Sequence, residues 1–184
     1  MRRLIMWNLM TLDGFVAGER GDISWHEDVW GEELERFSIE QGEEIGALLF
    51  GRVTYELMAG YWPTAPKSEI ADYMNALPKI VFSRTLREAD WRNTRLLHDN
   101  APAEVARLKS DTGKDIFMFG SADLAASLIP HGLIDEFRIG VAPLLLGGGS
   151  PLFKESSDRT RLRLLETRPL KKSGVVILRY EPTA

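Results

Sequence analysis

The sequence predicts an α/β fold of three layers, with helices on both faces of a mixed, mainly parallel sheet and a β-hairpin at the C-terminal end. Two observations predict the parallel part. Short apolar runs alternate with amphipathic segments through the first three-quarters of the chain, and each run stops at glycine or a polar residue. The third observation predicts the hairpin, because the last third changes to alternating strands around a polar turn.

Leu4 to Met10 reads as a buried strand ended by Thr11-Leu12-Asp13-Gly14. A glycine-rich polar loop follows through Gly18, Gly21 and Asp22 to Trp25. From Gly31 onward, Leu34, Phe37, Ile39 and Ile45 among many acids indicate an amphipathic helix whose glutamates form a solvated face. Ala47-Leu48-Leu49-Phe50 is the next strand, stopping at Gly51, and Arg52 to Met58 continues as a helix closed by Pro63 and Pro66. A helix over Ser68 to Asn75 precedes Pro78 and the strand Lys79-Ile80-Val81-Phe82. Ala101 to Ser110 is a helix with Pro102 in its first turn. Asp115 to Phe119 is a strand ending at Gly120, and Ala122 to Ile129 a helix stopped by Pro130-His131-Gly132. Phe137 to Val141, Arg161 to Leu164 and Val175 to Tyr180 read as strands, the last two joined by Lys171-Lys172-Ser173-Gly174. With no repeat or linker-like tract, residues 1–184 read as a single domain.

Composition narrows the function. With 44% hydrophobic residues, a chain of 184 residues can build a full core without staples. Lys and Arg number 23 against 27 Asp and Glu, and this net charge of −4 argues against general nucleic-acid binding, which requires neutralised phosphates. The absence of cysteine removes disulfides, thiol nucleophiles and Cys-ligated metals. His26, His98 and His131 fit no metal-ligand spacing and are expected at the surface or in loops. No apolar run approaches the ~18 residues a membrane span needs, so the reading is a soluble, cytoplasmic protein.

Ligands of such sheets bind beyond the carboxyl ends of the strands, and three motifs stand there. In Phe50-Gly51-Arg52-Val53-Thr54, glycine permits close approach to a helix N-terminus, while Arg52 and Thr54 offer donors for phosphate oxygens. In Ser83-Arg84-Thr85, two hydroxyls flank a guanidinium suited to a monophosphate such as the 2′-phosphate of NADP. In Phe119-Gly120-Ser121, glycine and a hydroxyl again open a helix, although Ser121 as a plain N-cap explains them equally well. Gly147-Gly148-Gly149 requires no more than a tight irregular loop. Each motif has an ordinary turn or loop as its alternative; together they describe a dinucleotide lying across several strand ends.

Over nearly its full length the chain resembles the dihydrofolate reductase-like superfamily, and more narrowly the stand-alone relatives of the reductase domain of the riboflavin-biosynthesis deaminase-reductase. The matching stretches are Thr11 to Ala17, Leu49 to Glu56, Ile80 to Leu86, Gly120-Ser121 with Gly132 to Glu136, and Pro143 to Gly149. The resemblance implies an NADPH-dependent reductase acting on a small pterin, aminopyrimidine-like, carbonyl or imine substrate, often as a homodimer. It implies Gly51, Arg52 and Thr54 on cofactor phosphate, Ser83, Arg84 and Thr85 on the 2′-phosphate, and Gly120 and Ser121, with Leu124 beside them, at the pyrophosphate. Asp13 would lie near the nicotinamide as proton donor or organiser, with His26 in the following loop as the weaker alternative donor, and Asp13 also reads as an Asp-Gly turn former. Trp25, in the loop from Phe15 that would close over the site, would contact substrate, although Trp25, Trp30 and Trp62 also fit a core. The riboflavin-pathway reductase typically has Glu-Gly-Gly where this chain has Phe119-Gly120-Ser121, and no companion deaminase signature is present. A non-catalytic NADP(H)-binding or regulatory protein is therefore the second reading.

Overall fold

The computed structural model describes residues 1–154, 156 and 159–183. Strand β1 (Leu4–Thr11) is apolar along most of its length and lies at the centre of the sheet, where both faces are covered. A short β2 (Phe15–Ala17), a 3-10 turn and the four-residue α1 (His26–Val29) make up the segment that follows. Helix α2 (Glu32–Gly42) buries Leu34 and Phe37, but it stops before Ile45. Ile45 instead opens strand β3 (Ile45–Gly51), whose near-continuous burial outweighs helical periodicity at that position. The α2 glutamates do more than face water: Glu32 and Glu33 receive the side chain and backbone of Lys172 at the hairpin turn, and Glu40 pairs with Arg168.

Helix α3 (Arg52–Tyr61) leaves β3 directly, and α4 (Glu69–Ala76) is capped by the Ser68 hydroxyl accepting from Ala71 N. Strands β4 (Lys79–Phe82) and β5 (Thr94–Leu97) follow. The sequence reading has no β5, because four mixed residues carry too little periodicity. Its pairing with β4 comes from outside the segment. Helix α5 (Ala101–Ser110), strand β6 (Asp115–Phe119), helix α6 (Ala122–Leu128) and strand β7 (Glu136–Ala142) complete the alternating part. The two-residue β8 (Ser150–Pro151) pairs with β2, and β9 (Leu162–Pro169) and β10 (Val176–Pro182) form the expected hairpin.

Among the described residues the sheet runs β5-β4-β3-β6-β1-β7-β10-β9, with parallel pairing across the first six strands and β10 antiparallel to both β7 and β9. One apolar cluster packs α2 and α4 on one face, and a second packs α5 and α6 on the other, giving the three layers. At the hairpin end, the wholly buried Glu136 carboxylate receives Arg3, Arg138 and Arg179. Burial pushes that carboxyl up, yet the hydrogen bonds from Arg179 and Arg138 outweigh it and bring the pKa to about 2. This topology sets the carboxyl ends of β3, β4 and β6 side by side.

Candidate functional site

A cavity of about 1030 Å³ opens where those three strands end. Its floor is built by a tight junction between two strand–helix turns 70 residues apart. Gly51 N donates to Ser121 Oγ (2.5 Å), and Ser121 N and Oγ both reach Thr54 Oγ1 (3.0 and 3.2 Å). Gly120 and Ser121 are consecutive left-handed residues, each at φ +61°. A Cβ on Gly120 would stand 2.6 Å from Thr54 Oγ1, and one on Gly51 would stand 2.8 Å from Ser121 Oγ. Only glycine fits either position without displacing the other turn.

The Ser121 hydroxyl, spent on Gly51 and Thr54, makes no cap bond to α6, which corrects the simple N-cap alternative. Helix α3 begins at Gly51 and α5 at the left-handed Asn100, also without side-chain caps. Three helix N-termini with unclaimed first-turn N–H groups thus border one cavity, which favours an anionic, multiply charged ligand.

Gly51, Arg52, Thr54, Ser83, Arg84, Thr85, Gly120, Ser121 and Leu124 all line the cavity. Their roles differ. Arg84 is exposed and has no ion pair among the described residues, whereas Arg52 pairs with Glu56 (2.8 Å) and Lys154 with Asp123. Ser83 is buried, and its Oγ accepts from Thr85 N (3.2 Å) and Leu86 N (2.9 Å), so it shapes the turn that presents Arg84. Leu124 is buried beneath the Gly51–Ser121 junction.

Asp13 and Trp25 are absent from the lining. The Asp13 carboxylate accepts from Thr11 Oγ1 (2.6 Å), Leu146 N (3.2 Å) and Gly147 N (2.8 Å). The Thr11 hydroxyl, with those two amides, holds its carboxyl below the usual range, so it is an ionised clamp and not a ready acid. That clamp orders the glycine loop, and Gly149 does line the cavity, packed so closely that a Cβ would meet Ala17 O at 2.1 Å. Trp25 is 5% exposed and sits edge-on against His26, with ring centroids 4.3 Å apart. Its indole N–H and His26 Nε2 are buried without hydrogen-bond partners among the described residues. Trp30 and Trp62 are the tryptophans of that group that reach the cavity.

Asn8 and His98 line the cavity without a sequence expectation, whereas His26, the alternative donor to Asp13, does reach it. Asn8 is buried, and its amide oxygen, in the orientation that satisfies both ends, accepts from Gly120 N (3.0 Å) while its nitrogen donates to Trp7 O (2.9 Å). The signal was a polar residue interrupting an apolar strand. His98 anchors its Nδ1 on Ser83 O (2.8 Å), and His26 borders the opposite end, where burial pushes its imidazole down to about 4. Neither histidine has a local pattern that marks it. No group of residues suited to holding a metal ion occurs among the described residues.

The three-layer arrangement around this mixed sheet is the fold of dihydrofolate reductase. A dihydrofolate reductase from Enterococcus faecalis, complexed with NADP(H), superposes with a TM-score of 0.67 at 15% identity, covering 99% of this chain and 97% of that one. A putative riboflavin biosynthesis protein from Shewanella sp. PV-4 superposes with a TM-score of 0.79 at 21% identity over 99% of both chains. The RibD C-terminal domain family matches residues 2–176, and the chain belongs to that family. The uncharacterized protein YyaP of Bacillus subtilis (strain 168) is 34% identical over 183 residues, 97% of this chain and 94% of its own. This membership supports a reductase-type function.

Proposed function

We propose that this protein is an NADPH-dependent reductase of small carbonyl, imine or heterocyclic substrates, acting as a homodimer. The observation that carries the reading is the convergence on one cavity, continuous with an aromatic end, of three helix N-termini without side-chain caps and of Arg84, which has no ion pair among the described residues. The cradle fits a dinucleotide. Glycines 51 and 120 let the two strand–helix turns close on each other, which brings the starts of α3 and α6 together for a pyrophosphate, and the turn at Ser83 presents the Arg84 guanidinium to a terminal phosphate. When bound, the nicotinamide supplies a hydride with its electron pair, and the reduced oxygen or nitrogen takes up one proton. The chain's own part is binding, orientation and exclusion of water. Val16, Ala17, Gly21 and Ile23 bring the segment after β1 over the cavity, and Asp13 holds the glycine loop against that segment.

Calorimetric titration with NADPH and NADH, followed by absorbance assays with pterin, aminopyrimidine and carbonyl compounds, tests this. Tight, 2′-phosphate-dependent binding with substrate-dependent NADPH oxidation is expected. Folded protein that takes up neither nucleotide removes the reading. Binding with no oxidation by any compound transfers it to the non-catalytic alternative, which the engagement of Asp13 as a clamp favours.

A further inference from the structure

The cavity is divided by charge. Its formally charged lining residues, Arg52, Arg84, Asp99, Asp123 and Lys154, come from the start of α3 and from the segments after β4, β5, β6 and β8. The wall contributed by β1, β2, the α1 segment, α2, the later turns of α3 and α4 has none among the described residues. Leu9, Trp30, Leu57, Met58, Trp62 and Met74 make up much of that wall.

The polar atoms of this wall are largely turned inward. Tyr73 OH donates to Ser38 O (3.2 Å), Ser38 Oγ to Leu34 O (2.9 Å), and Trp62 Nε1 to Met58 Sδ (3.1 Å). Burial raises the Tyr73 phenol well above its ordinary value and keeps the His26 imidazole neutral at pH 7, so neither supplies charge. At the mouth, Trp30, Val53 and Leu57 remain 48%, 66% and 46% exposed, an apolar rim continuous with the interior wall. Large apolar side chains lining a cavity mouth mark a surface that gains from being covered.

We infer that this end of the cavity takes an uncharged, planar, apolar substrate and discriminates against phosphorylated ones. A phosphate placed there would lose its hydration with no cation among the described residues of that wall to offset its charge, a cost that neutral rings avoid. Flat aromatic walls gain most from planar ligands. The inference deepens the reductase reading by naming the substrate class, and its binding test stands apart from it.

The test titrates the protein calorimetrically with 2-naphthol and with 2-naphthyl phosphate, each with and without saturating NADP+, and repeats both on Leu57→Asp. The expected result is at least ten-fold tighter binding of 2-naphthol in the presence of NADP+. Leu57→Asp should weaken 2-naphthol by a similar factor while retaining NADPH affinity, since Leu57 is half exposed and substitution there leaves the core intact. Equal or tighter binding of the phosphate ester with NADP+ present overturns the inference. So does failure of 2-naphthol to bind, or indifference of its affinity to Leu57→Asp. If NADP+ itself fails to bind, the cofactor reading falls, whereas the preference for 2-naphthol and its loss in Leu57→Asp still decide the substrate class.

Discussion

Arg84 carries the sharpest expectation at the scale of single residues. It is the lining guanidinium without a carboxylate partner among the described residues, presented by a turn that the buried Ser83 hydroxyl closes. Arg84→Ala should cost NADPH about 1.5–3 kcal/mol of binding, the range for charged hydrogen bonds, and leave NADH nearly unchanged. Titrations with the two nucleotides measure the difference, and equal losses reject the assignment. His26 carries a second expectation. Its pKa falls from 6.5 to about 4 because burial disfavours the imidazolium. The unfolded chain therefore binds more protons than the folded one between those values. Stability is complete above about pH 6.5 and declines as pH falls towards 4, by at most about 3 kcal/mol. Denaturant midpoints across that window should show the decline, and His26→Gln should flatten it. Little of this was legible beforehand. An Asp-Gly pair, a serine after glycine and a lone histidine have the same local appearance whether they touch ligand or hold a loop.

The connections between elements decide how the cavity is shaped. The glycine loop before β8 approaches β2 so closely that a Cβ on Gly149 would meet backbone, Ala17 O at 2.1 Å, and backbone has no rotamer to yield. Gly149 also has φ +133°, a conformation that L side chains rarely adopt. Gly149→Ala should loosen the β2–β8 pair and raise hydrogen exchange across 144–152, with weaker substrate and cofactor binding. Exchange rates matching the parent would show that this contact does not hold the cavity wall. At this scale the sequence was more informative. The strands ending at Gly51, Phe82 and Phe119 and the helices following Gly51 and Ser121 were legible because apolar periodicity and glycine stops are local. Strand β5 and the placing of Ile45 in a strand were not, because pairing with distant strands overrides weak local preference.

At the scale of the whole molecule, β9 forms an edge of the sheet that the described residues leave uncovered. Strand β9 is exposed nearly throughout, with Leu162, Leu164 and Leu165 at 43%, 49% and 38%, a surface unfavourable in water and an open template for pairing. If the homodimer forms across this edge, sedimentation velocity should give twice 20.8 kDa, and Leu164→Lys should return the protein to monomer with its thermal midpoint little changed. A monomeric parent would reject the dimer. The charge division of the cavity is likewise a property of the assembled molecule, since its charged residues, spread from Arg52 to Lys154, are gathered from five separate segments of the chain.

The sequence by itself determined the alternation of strands and helices, the glycine-ended strands that border the crevice, and the exclusion of metal–thiolate chemistry. These depend on composition and on periodicities of two to four residues. Only the tertiary structure decided that Ser121 locks Gly51, that Asp13 holds Gly147, and that Trp30 and Trp62 face the cavity while Trp25 is buried. A side chain's partner is set by which distant segment the sheet places beside it, and no local pattern encodes a contact made 70 or 134 residues away.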